Sequence, residues 1–169
     1  MIPRLAIPAL LLCGLGLACE RSTMAPANAG PVRFDILSDA AHEAAVTTVD
    51  IKSEHLSGIL PNGVPVDVNV KVTAQGADAS TLTGEGRHFA STGAHNYWPA
   101  TGSTDGVTAT LTGNVTESNV AFLLGSPVTV VGNALSGAIT MNFGPLTGGP
   151  FAGQTLVFTG SGTVNIETR

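Results

Sequence analysis

Val64, Val66, Val68, Val70 and Val72 alternate with Pro65, Asp67, Asn69, Lys71 and Thr73, and this rhythm restricts the possible folds more than any other feature of the chain. Side chains of an extended strand point alternately to opposite faces, so one face of the segment is apolar and the other is wet. A helix would scatter the same valines around its circumference. The segment therefore predicts a strand of an antiparallel sheet with one buried face. Pro65 has no N–H to give and belongs at the strand start or on an edge.

The same alternation recurs at Val107, Ala109, Leu111; at Val120, Phe122, Leu124; from Leu135 to Phe143; and from Leu156 to Ile166. Weaker versions cover Val32 to Leu37, Ala45 to Ser53, Leu82 to Phe89 and Pro127 to Val131. Turn chemistry separates them at Pro61-Asn62-Gly63, Gly76 to Asp78, Asp105-Gly106, Gly132-Asn133 and Gly144 to Gly153. Short strands at this spacing predict an all-β domain, an antiparallel β-sandwich of about eight or nine strands, with a small closed β-barrel as the alternative. One helical turn is expected near Asp39 to Val46, capped by Ser38 or Asp39. A membrane-spanning barrel would need aromatic girdles at both interfaces, and the chain has eight aromatics in all.

Charged residues make up 11% of the chain, and threonine, serine, asparagine and glycine fill most other polar positions. Thr and Val suit a pleated surface and rank low as helix formers. Seven basic residues stand against twelve acidic ones. A nucleic-acid partner leaves a basic stripe on the protein that binds it, and none is visible, so nucleic acid is excluded as a partner.

Ahead of the strands, Arg4 precedes an apolar stretch from Leu5 to Ala18, which is shorter than the roughly 20 residues a membrane helix requires. Gly16-Leu17-Ala18 places small residues before Cys19, and the segment resembles a bacterial lipoprotein signal. The resemblance covers the first nineteen residues. It implies that residues 1–18 are a signal peptide and that Cys19 is the lipidation site. Two or three acyl chains there would hold the domain on a membrane surface. Residues 19–31 then form a lipidated N-terminus and flexible linker, and residues 32–169 a single all-β domain. The expected address is export to the bacterial cell envelope as a membrane-anchored lipoprotein; plain secretion or a periplasmic location is the alternative, and Ala27-Asn28-Ala29 offers a second cut. After such processing Cys19 is the one cysteine left, so no disulfide enters the design.

Functional side chains are densest from Glu85 to Trp98. Glu85, Arg87, His88, His95, Tyr97 and Trp98 are the candidate ligand-binding residues, in a stretch where the alternation fades and a loop is expected. An indole offers a flat face to a sugar ring or an apolar ligand, although Trp98 and Tyr97 could equally close one end of the core. Glu85 with His88 is the one local pair suited to acid–base chemistry. His88 with His95 and Glu85, or His42 and His55 with Glu43 and Glu54, have no spacing diagnostic of a metal, and neither a metal nor a cofactor is expected. Phe143 to Gly153 reads as a long hairpin loop or a flap.

No catalytic motif stands out, so no catalytic residue is assigned. The expected function is a non-enzymatic cell-envelope lipoprotein module that binds a carbohydrate, an apolar small ligand or an envelope protein through its loops. The rivals are an envelope hydrolase acting on sugars or polymers through Glu85 and His88, and a purely structural surface protein.

Overall fold

A computed structural model describes residues 45–169. Ten strands run in chain order: β1 Thr47–Ile59, β2 Pro65–Gly76, β3 Leu82–Ala90, β4 His95–Thr104, β5 Thr108–Asn114, β6 Glu117–Ser118, β7 Pro127–Asn133, β8 Ala138–Phe143, β9 Leu156–Ser161 and β10 Thr163–Thr168. Among the described residues a single 3-10 turn, Ala121–Leu123, interrupts them.

Apart from β9 and β10, the successive long strands pair antiparallel, β6 joins the edge of β4, and the meander closes on itself where β1 meets both β9 and β10. Gly162 separates β9 from β10, which together act as one stave, so the wall has eight. The all-β expectation holds. Of the two architectures, the structure adopts the closed barrel in place of the favoured sandwich. The reason lies in β1. It runs for 13 residues, changes register with β2 between Ser53 and Leu56, and pairs with β10 before that shift and with β9 after it. Such a bulge bends its strand and increases the local twist, which lets a sheet curl until its edges join. Ser53 sits buried at the bend, its Oγ donating to the Ser161 carbonyl at 2.8 Å.

The barrel interior is the apolar core. Val66, Val68, Val70 and Val72 of β2 point inward, as their alternation predicts, while Asp67, Asn69 and Lys71 face outward. Pro65 is the first residue of the strand. Val49, Ile51, Leu111, Val130, Ile139 and Met141 come in from other staves. Each such side chain contributes about 1.5–3 kcal/mol on leaving water. Apolar inside and polar outside is the reverse of a lipid-facing barrel.

Three sequence expectations change. Val120, Phe122 and Leu124 do not lie on a strand: the segment holds the 3-10 turn, and the buried side chain is Leu123, on the opposite phase. The strand expected from Leu135 begins at Ala138; Leu135, 84% exposed, lies in a turn whose Asn133 Oδ1 accepts from the Leu135 and Ser136 amides. His95 to Thr104, part of which was expected to be a loop, is strand β4. Val32 to Leu37 and nearly all of the expected turn at Asp39 to Val46 lie outside the described residues, as do Cys19, His42 and Glu43.

Candidate functional site: an apolar cavity at one barrel end

The β3–β4 hairpin turns through Ser91-Thr92-Gly93, and its register fixes where each candidate residue lies. Gly86 faces Trp98 and His88 faces Asn96 across the two strands, with Trp98, His88 and Asn96 buried inside the barrel. Glu85 pairs with Pro99, Arg87 with Tyr97 and Phe89 with His95 on the outer face. The six candidates therefore do not converge. His88 and Trp98 belong to the interior, whereas Glu85, Arg87, His95 and Tyr97 belong to the outside.

Alternation along β3 also separates Glu85 from His88, and they cannot share a proton. His88 and His95 lie on opposite faces of the hairpin. Among the described residues, no three His, Cys, Asp or Glu side chains come together as a metal site would require.

Three of the outer candidates, Glu85, Arg87 and Tyr97, border a groove of about 620 Å³ beside Lys71, Thr116 and Glu117, and His95 lies outside it. Phe89 meets the His95 ring edge-on at 4.9 Å and Tyr97 at 6.1 Å. The groove's polar side chains stand in solvent and have nothing enclosing them. It could hold a charged ligand only weakly, because exposed ion pairs gain little against water.

The interior candidates lead to a different place. Where β1, β3 and β8 end and β2, β4 and β9 begin, a cavity of about 280 Å³ remains inside the barrel. Val66 and Val68 of β2, Phe143 of β8, and Leu156 and Phe158 of β9 form its walls, and among the described residues no charged one lines it. It exists because the inward positions at this end of the hairpin carry Ala90 and Asn96, too short to reach the centre, and because the barrel is wide enough to hold one small ligand.

Two segments cover the cavity. Leu123 and Phe122 come from the 3-10 turn, and Leu146 and Phe151 from the loop between β8 and β9. Thr147 joins the two covers: its Oγ1 lies 2.9 Å from the Phe122 carbonyl and 2.8 Å from that of Leu124, and its amide donates to Ser126 Oγ. Phe122 packs over Gly149, where a Cβ would come within 2.5 Å of its ring, yet remains 43% exposed at the rim. Phe143 and Phe151, both within the stretch from Phe143 to Gly153 read from sequence as a loop or flap, thus contribute to the wall and the cover of one cavity.

His88 and Asn96 supply the cavity's buried polar groups. They are 2% and 0% exposed, and Asn96 Nδ2 donates to His88 Nε2 at 2.9 Å. Burial pushes the His88 imidazole down to about 4, so the ring is neutral at neutral pH. Its edge meets Phe143 at 4.8 Å, and the Trp98 indole lies tilted at 5.2 Å. Among the described residues, His88 Nδ1, Asn96 Oδ1 and the neighbouring Trp98 Nε1 are buried with almost no accessible surface and find no partner. Buried polar atoms are usually paired, so three left over in one part of the interior stand out.

Sequence reasoning reached His88 but missed Asn96, which becomes visible only when the hairpin is folded about Thr92-Gly93 and the two fall in register. Comparison of the chain with protein-family models, curated proteins and solved structures returns no match, which leaves the cavity itself as the guide to what the domain does.

Proposed function

We propose that this domain is a non-enzymatic binding module of the cell envelope that takes up a small apolar molecule in the barrel-end cavity. One observation carries the reading: an apolar chamber of about 280 Å³ lined almost wholly by aliphatic and aromatic side chains, with His88 and Asn96 among the few polar residues of its lining. A dry cavity of roughly 150 Å³ already accepts a benzene-sized molecule, and ligand sites characteristically set a few polar groups in an apolar lining. The ligand enters the barrel end, between the 3-10 turn and the β8–β9 loop, rather than lying across the outer residues Glu85, Arg87 and Tyr97.

The Cys19 lipid anchor and the envelope address belong to the same proposal. In its support, β1 starts at the end of the barrel opposite the cavity. Replacing Cys19 with serine should move the protein from the membrane to the soluble fraction; unchanged partitioning would remove lipidation from the account.

Titration with octane or butylbenzene tests the cavity, read by the melting temperature and by the emission of Trp98, the only tryptophan. Ligand binding raises stability in proportion to occupancy. Ala90→Leu, which adds volume at the cavity wall, should abolish both responses while the protein stays folded. A response of equal size in that variant would place the ligand elsewhere.

A further inference from the structure

We infer that the protein dimerises by pairing β10 antiparallel with β10 of a second copy, about a twofold axis at Ile166. The inference does not depend on the cavity, because β10 runs beside the start of β1, at the other end of the barrel.

Closure of the barrel leaves one strand edge open. The pairing of β8 with β9 stops where Ala138 faces Ser161, since the chain between β7 and β8 turns back there, with the Gly137 amide donating to the Asn133 carbonyl. That hairpin is too short to cover β10, which among the described residues pairs with β1 alone. Arg169 exchanges both backbone bonds with Val46, so by antiparallel alternation Glu167, Asn165 and Thr163 also bond to β1. The N–H and C=O groups of Val164, Ile166 and Thr168 therefore point the other way, on the side where the Gly162 amide donates to Gly137 at 2.9 Å. Past that bond, no described residue pairs with them. Such a row is a template for another strand, and natural edges are commonly blunted by lysine or proline. β10 carries neither.

The strand that fits this edge is the same strand turned around. With Ile166 facing the partner's Ile166, Val164 faces the partner's Thr168, and every outward N–H and C=O meets its complement. On the outer face Glu167 meets the partner's Asn165 and Arg169 meets the partner's Thr163, so no like charges oppose each other. The neighbouring registers are worse. One sets Glu167 against the partner's Glu167. The other sets Thr168 against the partner's Gly162, whose amide is already given to Gly137. Leu135, 84% exposed in the turn that borders the edge, is apolar surface for the partner to cover.

The full chain carrying Cys19→Ser, which keeps the lipid anchor out of the measurement, tests this by sedimentation from about 1 μM to 1 mM, a range suited to a small interface. A monomer–dimer equilibrium is expected. Asn165→Lys, facing the partner's Glu167, should tighten it by about three- to tenfold, and Asn165→Glu should weaken it by about the same factor. Thr168→Pro deletes an outward N–H and a 3.3 Å hydroxyl contact with Thr47 while sparing the β1 ladder, and should weaken the dimer by about tenfold or more. Melting curves at the lowest concentration check that each variant is folded, and the Asn165 pair decides if Thr168→Pro is not. Residue-resolved amide exchange supplies a readout that folding alone does not move: Val164, Ile166 and Thr168 should slow as concentration rises, while Thr163, Asn165 and Glu167 keep one rate.

A monomer throughout, with outward amides exchanging at a constant rate, would overturn the inference. So would a dimer indifferent to all three substitutions, which must use another surface, or one that Asn165→Lys and Asn165→Glu weaken equally, which is not paired about Ile166.

Discussion

At the scale of single residues, His88 makes stability depend on pH. Its pKa is about 4 in the folded protein against an ordinary value of 6.5, so between these values the unfolded chain holds the extra proton. Stability is then fully present above about pH 6.5 and is lost as the pH falls toward 4, by about 2 kcal/mol between pH 7 and pH 5. Urea denaturation at the two pH values should show this loss in the wild-type protein and a loss smaller by that amount in His88→Leu. Gly86 is the other sensitive position. A Cβ there would lie 2.2 Å from Cε2 of the Trp98 indole, which occupies the space that a side chain would take. Gly86→Ala should therefore cost about 1–3 kcal/mol through overpacking and shift the Trp98 emission, as thermal melts and fluorescence would show.

At the scale of elements, the barrel staves and the cavity cover differ in what holds them. Staves are fixed by long ladders, as between β1 and β2 from Thr47 to Ile59, broken there only by the bulge between Ser53 and Leu56. The β8–β9 loop is joined to the 3-10 segment largely through Thr147 and Ser126. Thr147→Val removes the hydroxyl that reaches the Phe122 and Leu124 carbonyls, and should cost about 1 kcal/mol. Hydrogen exchange should quicken in residues 144–155 and 120–126 while β2 and β7 keep their protection, because segments with few buried contacts open independently. Turns elsewhere have their own clasps. Asp105 accepts from the Val107 and Thr108 amides, which hold its carboxyl below the usual value. Asp78 does the same for Ser80 and Thr81, with the Ser80 hydroxyl the main cause of its lowered pKa.

At the scale of the whole molecule, the barrel depends on one seam, where the first described strand meets the last. Gly162 allows the closest approach: a Cβ there would stand 2.1 Å from the Lys52 carbonyl. Beyond it, β10 covers Thr47 to Lys52 of β1 and shields Val49 and Ile51. A chain ending at Ser161 would expose that edge and part of the core. It should lose its cooperative melt and associate, as circular dichroism and size-exclusion chromatography would reveal; a monomeric, cooperatively melting product would show that the seam is dispensable.

The sequence by itself determined that the chain is built of strands, which face of β2 is buried, and where most turns fall, because these depend on a two-residue period and on Gly, Asn, Asp and Pro acting locally. It did not reveal β4, whose inward positions carry Asn96 and Trp98 with only Ala100 as an aliphatic, nor the barrel in place of the sandwich, because closure depends on β1 reaching a partner more than a hundred residues away. The candidate site divided in the same manner. His88 and Trp98 were legible as chemistry, but Glu85, Arg87, His95 and Tyr97 looked like their companions only while the stretch was taken for a loop. Tertiary structure alone decided that His88 meets Asn96 across a hairpin and that Phe122, Phe143 and Phe151 gather around them. A cavity is the space left by side chains distant in sequence, and no local pattern can specify that space.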